Sequence, residues 1–362
     1  NVAVGSYALD ANTTANNNTA CGYQSLTAAT TGGANTGVGS NSLRDMTTGS
    51  SNTAVGTSAA LSVTTGHSNV AVGTESLFLN TTGASNIAVG KDALRNNTAS
   101  ENTGVGHNAL YSNTIGTQNT AVGAYAIDAS TSGGENTGVG YRSLSGNTTG
   151  DRNTAIGTNS LYNNTTADNN TGLGRDAMFS NTTGNLNTAV GADAMQYNTT
   201  GAANVAVGHD TLDANTTGDY NTAVGQNAMG ANTTGNFCVA IGANALKSDV
   251  TVSESVAVGY NALQAQTDGR NTAVGYLAGQ DLTTGTGNTF MGQEAGENIT
   301  TGDNNTAIGR HTLRVQTTAD NNTAVGANVL AANTSGTQNT AFGTSALDAN
   351  TTASNNTAIG AE

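Results

Sequence analysis

The chain has 362 residues, with 48 Gly, no Pro, no Trp, 9% charged residues and 4% aromatic residues, and its formal net charge is −14. Soluble domains usually carry about a quarter charged residues, and an enzyme builds its site from a varied set of polar and aromatic side chains. The composition therefore disfavours an enzyme, and without internal order it would predict a disordered chain.

Internal order is present as a short repeat that runs from the first residue to the last. The motif Asn-Thr-Ala-Val-Gly, or a close variant, begins 22 units, of which 19 follow at intervals of 17 residues and two at intervals of 16. We therefore expect a single repeat array over residues 1–362. The units begin at residues 1, 18, 35, 52, 69, 86, 102, 119, 136, 153, 170, 187, 204, 221, 238, 255, 271, 288, 305, 322, 339 and 356.

The first five positions of the unit predict a β-strand followed by a corner. Position two is β-branched in every unit, position four is apolar in every unit, and position five is always Gly. Residues two apart share one face of a strand, so positions two and four are expected to face the interior. The Gly fits a corner with positive φ or close backbone approach. Position one is Asn except at Cys238 and Ser255, which fits a stacked amide ladder or a left-handed corner.

Position three is expected to face away from that interior. It is Ala or Gly in every unit except at Phe290, and it never carries a charge. A water-facing position would have accepted Lys, Glu or Ser in some units. Small residues there predict close packing against another backbone, and hence a contact between chains.

The remaining positions predict a second strand and a loop. Position nine is usually Leu or Met, so it supplies a third core column within a strand at positions seven to ten. Positions twelve to fifteen often read Asn-Thr-Thr-Gly, which has turn chemistry, and both shortened units lose their residue there. Charged residues occur only at positions six, seven, ten to twelve, fourteen, sixteen and seventeen, which we assign to the solvent face.

These patterns predict an all-β fold, a β-solenoid of about 21 coils of 17 residues. Seventeen residues are too few for a helical hairpin, and a β-branched column followed by an invariant Gly opposes helix. At ~4.8 Å per coil, the array predicts a rod on the order of 100 Å long. Three core side chains per coil offset only part of the entropy lost in ordering the coil, so we expect an oligomer.

The motif followed by Ala-Leu resembles the head repeat of YadA-like trimeric autotransporter adhesins. Cys238–Leu246 and Ser255–Leu263 carry the likeness, although the family's repeat is shorter. The whole chain is also similar to repetitive phage tail-fibre shafts, as in Asn288–Gly296. The resemblance implies a left-handed parallel β-roll, a homotrimeric fibre, and an extracellular place on a cell-surface appendage or a virion tail fibre.

The function expected from these features is mechanical. The chain is predicted to be the shaft of an appendage, adhesin or tail fibre that self-associates as a homotrimer or filament. Because it begins and ends within the repeat, we expect it to be part of a longer protein whose terminal domains would bind a host-surface glycan or receptor. One alternative is an adhesin that binds a host or glycan along the rod through Tyr7, Tyr125 and Tyr276.

A second alternative is an ice-binding solenoid. Such a function requires two Thr columns on one exposed face, at positions i and i+2 of a strand. The loop Thr residues are adjacent rather than alternate, as in Thr13-Thr14. Because the position-two Thr is expected to point inward, the sequence disfavours this alternative.

No catalytic or cofactor-binding residues are predicted. His67, His107, His209 and His311 lie in coils far apart along the array. No metal site is expected as the default, and no cofactor. The alternative is calcium at Asp176, Asp193 and Asp210, which occupy position seven of three successive coils ~4.8 Å apart.

The remaining features exclude further functions. Cys21 is expected in the core and Cys238 at a corner thirteen coils away, too far apart for a disulfide. The acidic sequence pI of about 4.4 disfavours nucleic acid. The absence of any long apolar run predicts no membrane insertion.

Overall fold

The computed structural model describes residues 1–361, which form a parallel β-solenoid of about 21 turns with no helix among them. The expected all-β solenoid is therefore confirmed. Each repeat contributes one three-residue strand at positions two to four, and turns make up the rest of the coil. The coils belong to two compact units, one from Asn1 to Thr183 and one from Gly184 onward.

The first unit contains strands β1 to β11, and the second contains β12 to β22. In chain order, β1 to β11 are Val2–Val4, Thr19–Cys21, Thr36–Val38, Thr53–Val55, Val70–Val72, Ile87–Val89, Thr103–Val105, Thr120–Val122, Thr137–Val139, Thr154–Ile156 and Thr171–Leu173. Strands β12 to β22 are Thr188–Val190, Val205–Val207, Thr222–Val224, Val239–Ile241, Val256–Val258, Thr272–Val274, Thr289–Met291, Thr306–Ile308, Thr323–Val325, Thr340–Phe342 and Thr357–Ile359.

Within each unit every strand pairs in parallel with the strand of the next coil. The register places identical repeat positions beside each other, as where Thr53 pairs with Val70 and Ala54 with Ala71. The shortened unit keeps this register, since Ile87 pairs with Thr103. The deletion is absorbed outside the strand, as the turn chemistry of positions twelve to fifteen predicted.

The strand faces are reversed relative to the sequence prediction. Position-three residues such as Ala121 and Ala189 are 0% exposed within their own chain. Position-four residues point outward, as Val122 shows at 39% exposure. The prediction that positions two and four face the interior was wrong, and so was the assignment of position three to a contact between chains. Small residues are required at position three because the coil is narrow, with room for little more than a methyl group opposite position nine.

Phe290 demonstrates that positions three and nine share one core. It is the single large residue at position three, and position nine is Gly only in its own coil and in the preceding one. A Cβ atom on Gly279 would lie 2.6 Å from the Phe290 ring, and one on Gly296 would also lie 2.6 Å from it. The ring therefore fills the volume that two Leu side chains occupy elsewhere, which keeps the interior close-packed.

The predicted second strand at positions seven to ten is absent from the described residues. Positions seven and nine adopt left-handed backbone conformations, as at Tyr125 (φ 58°) and Ile127 (φ 50°). The coils still bond there, because the Ile127 amide donates to the Ser143 carbonyl at 3.0 Å. The left-handed residues turn adjacent side chains, Ala126 and Ile127, into the same interior, which an extended strand does not allow.

The corner assigned to position five is confirmed. Gly123 has φ 137°, outside the region that residues with a side chain adopt. A Cβ atom at Gly123 would lie 2.4 Å from the carbonyl oxygen of Gly140 in the next coil. The invariant Gly is therefore required for two reasons: its φ is unfavourable for other residues, and the next coil leaves no space for a Cβ atom.

The amide ladder expected at position one is also confirmed. The Asn35 Oδ1 atom accepts the Asn52 backbone N–H at 2.9 Å. The Asn52 Nδ2 group donates to the Gly66 carbonyl at the far corner of its own coil at 2.9 Å. Each buried Asn thus joins neighbouring coils and satisfies a buried carbonyl, which accounts for its recurrence.

Candidate functional surfaces

The outward side chains of positions two and four form one continuous face within each unit, which we term the outer strand face. Its apolar members remain substantially exposed well inside the array, including Val55 at 38%, Ile156 at 39% and Ile241 at 41%. The same holds at position two for Ile87 at 41%. None of the 22 repeats has a charged residue at position two or position four. The face is therefore an uncharged array of Thr and branched apolar side chains.

The outer strand face is regular in two directions. Parallel pairing repeats each column every ~4.8 Å, and positions two and four lie ~6.6 Å apart along the strand. The eleven strands of one unit present on the order of 500 Å² of this surface if the face is ~10 Å wide. Most position-two side chains are Thr, so the apolar part of this surface is mainly the position-four column. Such a column, repeated without charge along every coil of a unit, is a candidate interaction surface.

The structure groups part of the predicted calcium column with a histidine. Asp193 and Asp210 come together with His209, and one ligand atom from each lies within 4.8 Å of the others. The His209 Nδ1 atom is 2.8 Å from Asp210 Oδ2. Asp176 belongs to the first unit, where it pairs with Arg175 and accepts a hydrogen bond from Asn159. Calcium takes six to eight oxygen ligands, so a calcium site at these residues would need further oxygen atoms besides the carboxylates.

Crowding of carboxylates around this cluster affects Asp213. Burial raises the pKa of the Asp213 carboxyl, and the nearby negative charges of Asp210 and Asp193 raise it further. The carboxylates of Asp193, Asp210 and Asp213 therefore repel one another, and His209 adds a nitrogen donor to the cluster. A nitrogen and oxygen donor set of this kind suits a transition metal better than calcium.

The other His residues have local contacts. His311 lies 3.1 Å from Glu294, which also pairs with Arg314 at 3.2 Å. His107 packs edge-on against Tyr125, with 5.3 Å between ring centroids. The His67 Nδ1 atom lies 3.4 Å from the exposed hydroxyl of its chain neighbour Ser68. All these contacts join neighbours along the chain or in adjacent coils.

The three Tyr residues considered for glycan binding lie in local ring contacts. Tyr7 is 57% exposed and Tyr276 is 51% exposed, whereas Tyr125 is half-buried. Tyr276 stacks on Tyr260 with 5.6 Å between centroids, and Tyr7 meets Tyr23 edge-on at 6.0 Å. Neighbouring rings therefore cover part of the surface that a sugar would stack against.

Both cysteines are free thiols. Cys21 was expected in the core but is exposed, because position four points outward. Cys238 is 0% exposed, and burial raises the pKa of its thiol to about 11.

Asp249 is a buried residue that the charge pattern failed to identify. Position twelve forms an interior column, in which the Asn80 Nδ2 group, for example, donates to the Gly83 carbonyl at 2.8 Å. Asp249 is 0% exposed in this column, and burial raises the pKa of its carboxyl to about 7. Assigning position twelve to the solvent face missed it. The available signal was that Asp249 is the one charged residue at that position in the sequence.

A surface notch of about 620 Å³ lies next to the coil that contains Asp249. It is lined by the loops Thr251–Glu254 and Thr267–Arg270, together with Thr286, Gly287 and Asn304. The second of these loops belongs to the shortened unit beginning at Ser255. The missing residue therefore coincides with the notch.

Comparison with known proteins found no matching family model, no matching curated protein and no matching solved structure. The described residues contain no helix with the length and hydrophobicity of a membrane span.

Proposed function

We propose that this chain is the shaft of an extracellular fibre, in which parallel copies associate through their outer strand faces. The supporting observation is that face itself, which is uncharged in all units and exposes about two-fifths of side chains such as Val122 and Ile156. Covering these side chains with the same face of another copy removes apolar surface from water along every coil.

The distribution of charge favours a second copy of the chain as the occupant. Each chain carries a formal charge of −14, so association must keep the acidic side chains of neighbouring copies apart. Acidic and basic residues occur at turn positions, and none occurs at positions two or four. Copies that meet through the outer strand face therefore bury no charge.

A parallel homotrimer is the arrangement that the resemblance to YadA-like heads implies. Three parallel copies in register around one axis would bring the position-two column of one chain against the position-four column of the next at each coil, a contact that closes into a three-fold ring. In such a fibre the chain would space a terminal domain from a cell or virion surface. The solenoid's own role would be mechanical.

Solution mass tests this proposal. Light scattering coupled to size exclusion should give three times the chain mass of 35.8 kDa, with no dissociation on moderate dilution. High salt should not weaken the assembly, since the proposed contact contains no ion pairs. A monomeric mass would contradict the proposal.

Ice binding is the second candidate, and the orientation of position two favours it. The position-two Thr column points outward, which removes the objection that these residues face the interior. The neighbouring column at position four contains no Thr, so the face carries one Thr column rather than two. This function requires the face to remain open to water, so it excludes the buried interface. A monomer with thermal hysteresis would support ice binding, and a monomer without it would contradict both candidates.

A further inference from the structure

The coil Cys238–Glu254, here called the joint coil, departs from the repeat at three buried positions. Cys238 replaces Asn at position one, Asp249 stands at position twelve, and Val252 replaces Gly or Ala at position fifteen. All three side chains are at most 5% exposed. The next coil begins with Ser255 in place of Asn and is one residue short. The substitutions therefore interrupt both interior ladders at one place.

An Asn at position twelve makes two donations that an ionised Asp cannot make. In a coil with Asn, the Asn215 Nδ2 group donates to the Asn198 Oδ1 atom at 2.7 Å and to the Gly218 carbonyl at 3.1 Å. Asp249 keeps the acceptor role, because its Oδ1 atom accepts the Val252 N–H at 2.8 Å. Its Oδ2 atom is buried without a hydrogen-bond partner. A protonated carboxyl supplies one O–H at the place where the amide supplies N–H.

The groups around Asp249 do not neutralise its charge. Cys238, on the same coil, is a buried thiol whose Sγ atom lies 3.5 Å from the Val252 carbonyl. The position-twelve residues of the adjacent coils, Asn232 and Gln266, are neutral, and Gln266 donates to Ser255.

Charged groups lie around the notch rather than beside the carboxylate. Arg270 pairs with Glu254 at 3.4 Å, and Asp268 lies on the same loop as Arg270. Lys247, two residues before Asp249, is half-buried and forms no ion pair with it among the described residues. Ionised Asp249 is therefore a buried charge with one satisfied oxygen.

We propose that the joint coil is a proton-sensitive joint, closed when Asp249 is protonated and opened locally when Asp249 ionises. Protonation makes the side chain a near-isostere of Asn and restores a donor to the ladder. Ionisation leaves a charge that water solvates only if the coil opens toward the notch. The device depends on the geometry of the coil and is independent of the fibre assignment.

The direction with pH follows from linkage. The closed coil holds the proton with a pKa of about 7, whereas a solvated Asp has a pKa near 3.8. The equilibrium constant for opening should therefore rise about tenfold per pH unit between these values and level off above pH 7. Opening is suppressed at acidic pH and reaches its maximum at neutral and alkaline pH.

Alkylation of Cys238 measures this opening directly, because the thiol is buried in the same coil. In a Cys21→Ser background Cys238 is the sole thiol, and its iodoacetamide reaction rate is compared with and without Asp249→Asn from pH 5 to pH 8.5. The ratio of the two rates cancels the titration of the thiol in the open state. We expect the ratio of Asp to Asn protein to rise by about 50-fold from pH 5 to pH 7 and to level off at about 100-fold near pH 8.

Two results would overturn the proposal. A ratio that stays flat with pH means that Asp249 does not control opening. A ratio that falls as pH rises means that the carboxylate acts only by disfavouring the thiolate. Asp213→Asn is the matched control, since its carboxyl also has a raised pKa but lies at position ten of another coil. It should leave the Cys238 rate profile unchanged.

Discussion

At the residue scale, the position-five glycines set how closely successive coils approach. The strand ends there, and the chain turns with φ between 115° and 148° in the described corners. Each corner glycine also packs against the backbone of the glycine in the next coil, so a Cβ atom at Gly123 would overlap the carbonyl oxygen of Gly140. The glycine is therefore part of the stacking contact between coils as well as a flexible link.

Gly123→Ala should destabilise the first unit by at least about 2 kcal/mol, because it adds backbone strain and an overlap with the Gly140 carbonyl. Urea denaturation followed by circular dichroism provides the measurement. Gly134→Ala in the same coil is the control, since its Cβ would lie 3.1 Å from its nearest atom and its φ is not positive. Equal losses in the two variants would contradict the corner argument.

Phe290 allows a test of core complementarity. Phe290→Ala should cost about 3–5 kcal/mol by opening a cavity. Adding Gly279→Leu and Gly296→Leu to that variant should recover most of the loss, because both positions carry Leu in most other coils. Thermal unfolding of the single and triple variants distinguishes the outcomes. A triple variant no more stable than Phe290→Ala would show that positions three and nine do not share one volume.

At the element scale, each coil is held by buried ladders of polar groups as well as by apolar packing. Asn at positions one and twelve satisfies interior carbonyls that the corners would otherwise leave unbonded, which is costly in a dry interior. Neutral amides suit these sites because they donate and accept without charge. A carboxylate in the same column makes stability depend on pH.

Asp249→Asn should raise the melting temperature at pH 8 and have little effect at pH 4. The folded pKa of about 7 lies above the ordinary 3.8, so the stability of the wild-type protein is complete below about pH 4 and falls as pH rises through 7. The difference corresponds to about 4 kcal/mol when Asp249 is fully ionised. Scanning calorimetry at pH 4, 6 and 8 measures it, and an equal gain at all three values would contradict the assignment.

The repeat sequence predicted the first strand, the corner and the loop of the coil, but it wrongly predicted a second strand and the direction of the strand side chains. Composition by position identified the strand, the glycine corner, the amide ladder and the loop that absorbs deletions. Alternation alone cannot tell which strand face is interior, and both faces here are uncharged. The pairing of Phe290 with Gly279 and Gly296 indicated that position three faces the interior, because a large residue in a close-packed core requires smaller residues beside it. The left-handed residues at positions seven and nine were missed. Position seven is Asn or Asp in many coils, which are types that favour positive φ, so a signal was present there, whereas Leu and Met at position nine rarely adopt positive φ.

At the scale of the whole molecule, reversal of the strand faces changes what the chain offers to a partner. The small residues first assigned to a contact between chains line the interior of each coil, and the branched column assigned to the core lies outside.

Ala189→Arg should therefore disrupt folding of its coil rather than assembly alone. Proteolysis would show this as new cleavage near residue 189, and normal resistance to protease would contradict it.

The masses in solution of two matched variants show whether the outer strand face joins the copies. Val122→Lys places a charge on the outer strand face, and Ile115→Lys places one at an exposed loop position of the preceding coil. Val122 is 39% exposed and Ile115 is 67% exposed, so neither change disturbs the interior. If the outer strand face joins the copies, Val122→Lys shifts the mass toward that of a single chain while Ile115→Lys keeps that of the trimer. Identical masses for the two variants would show that the outer strand face is not the contact between copies.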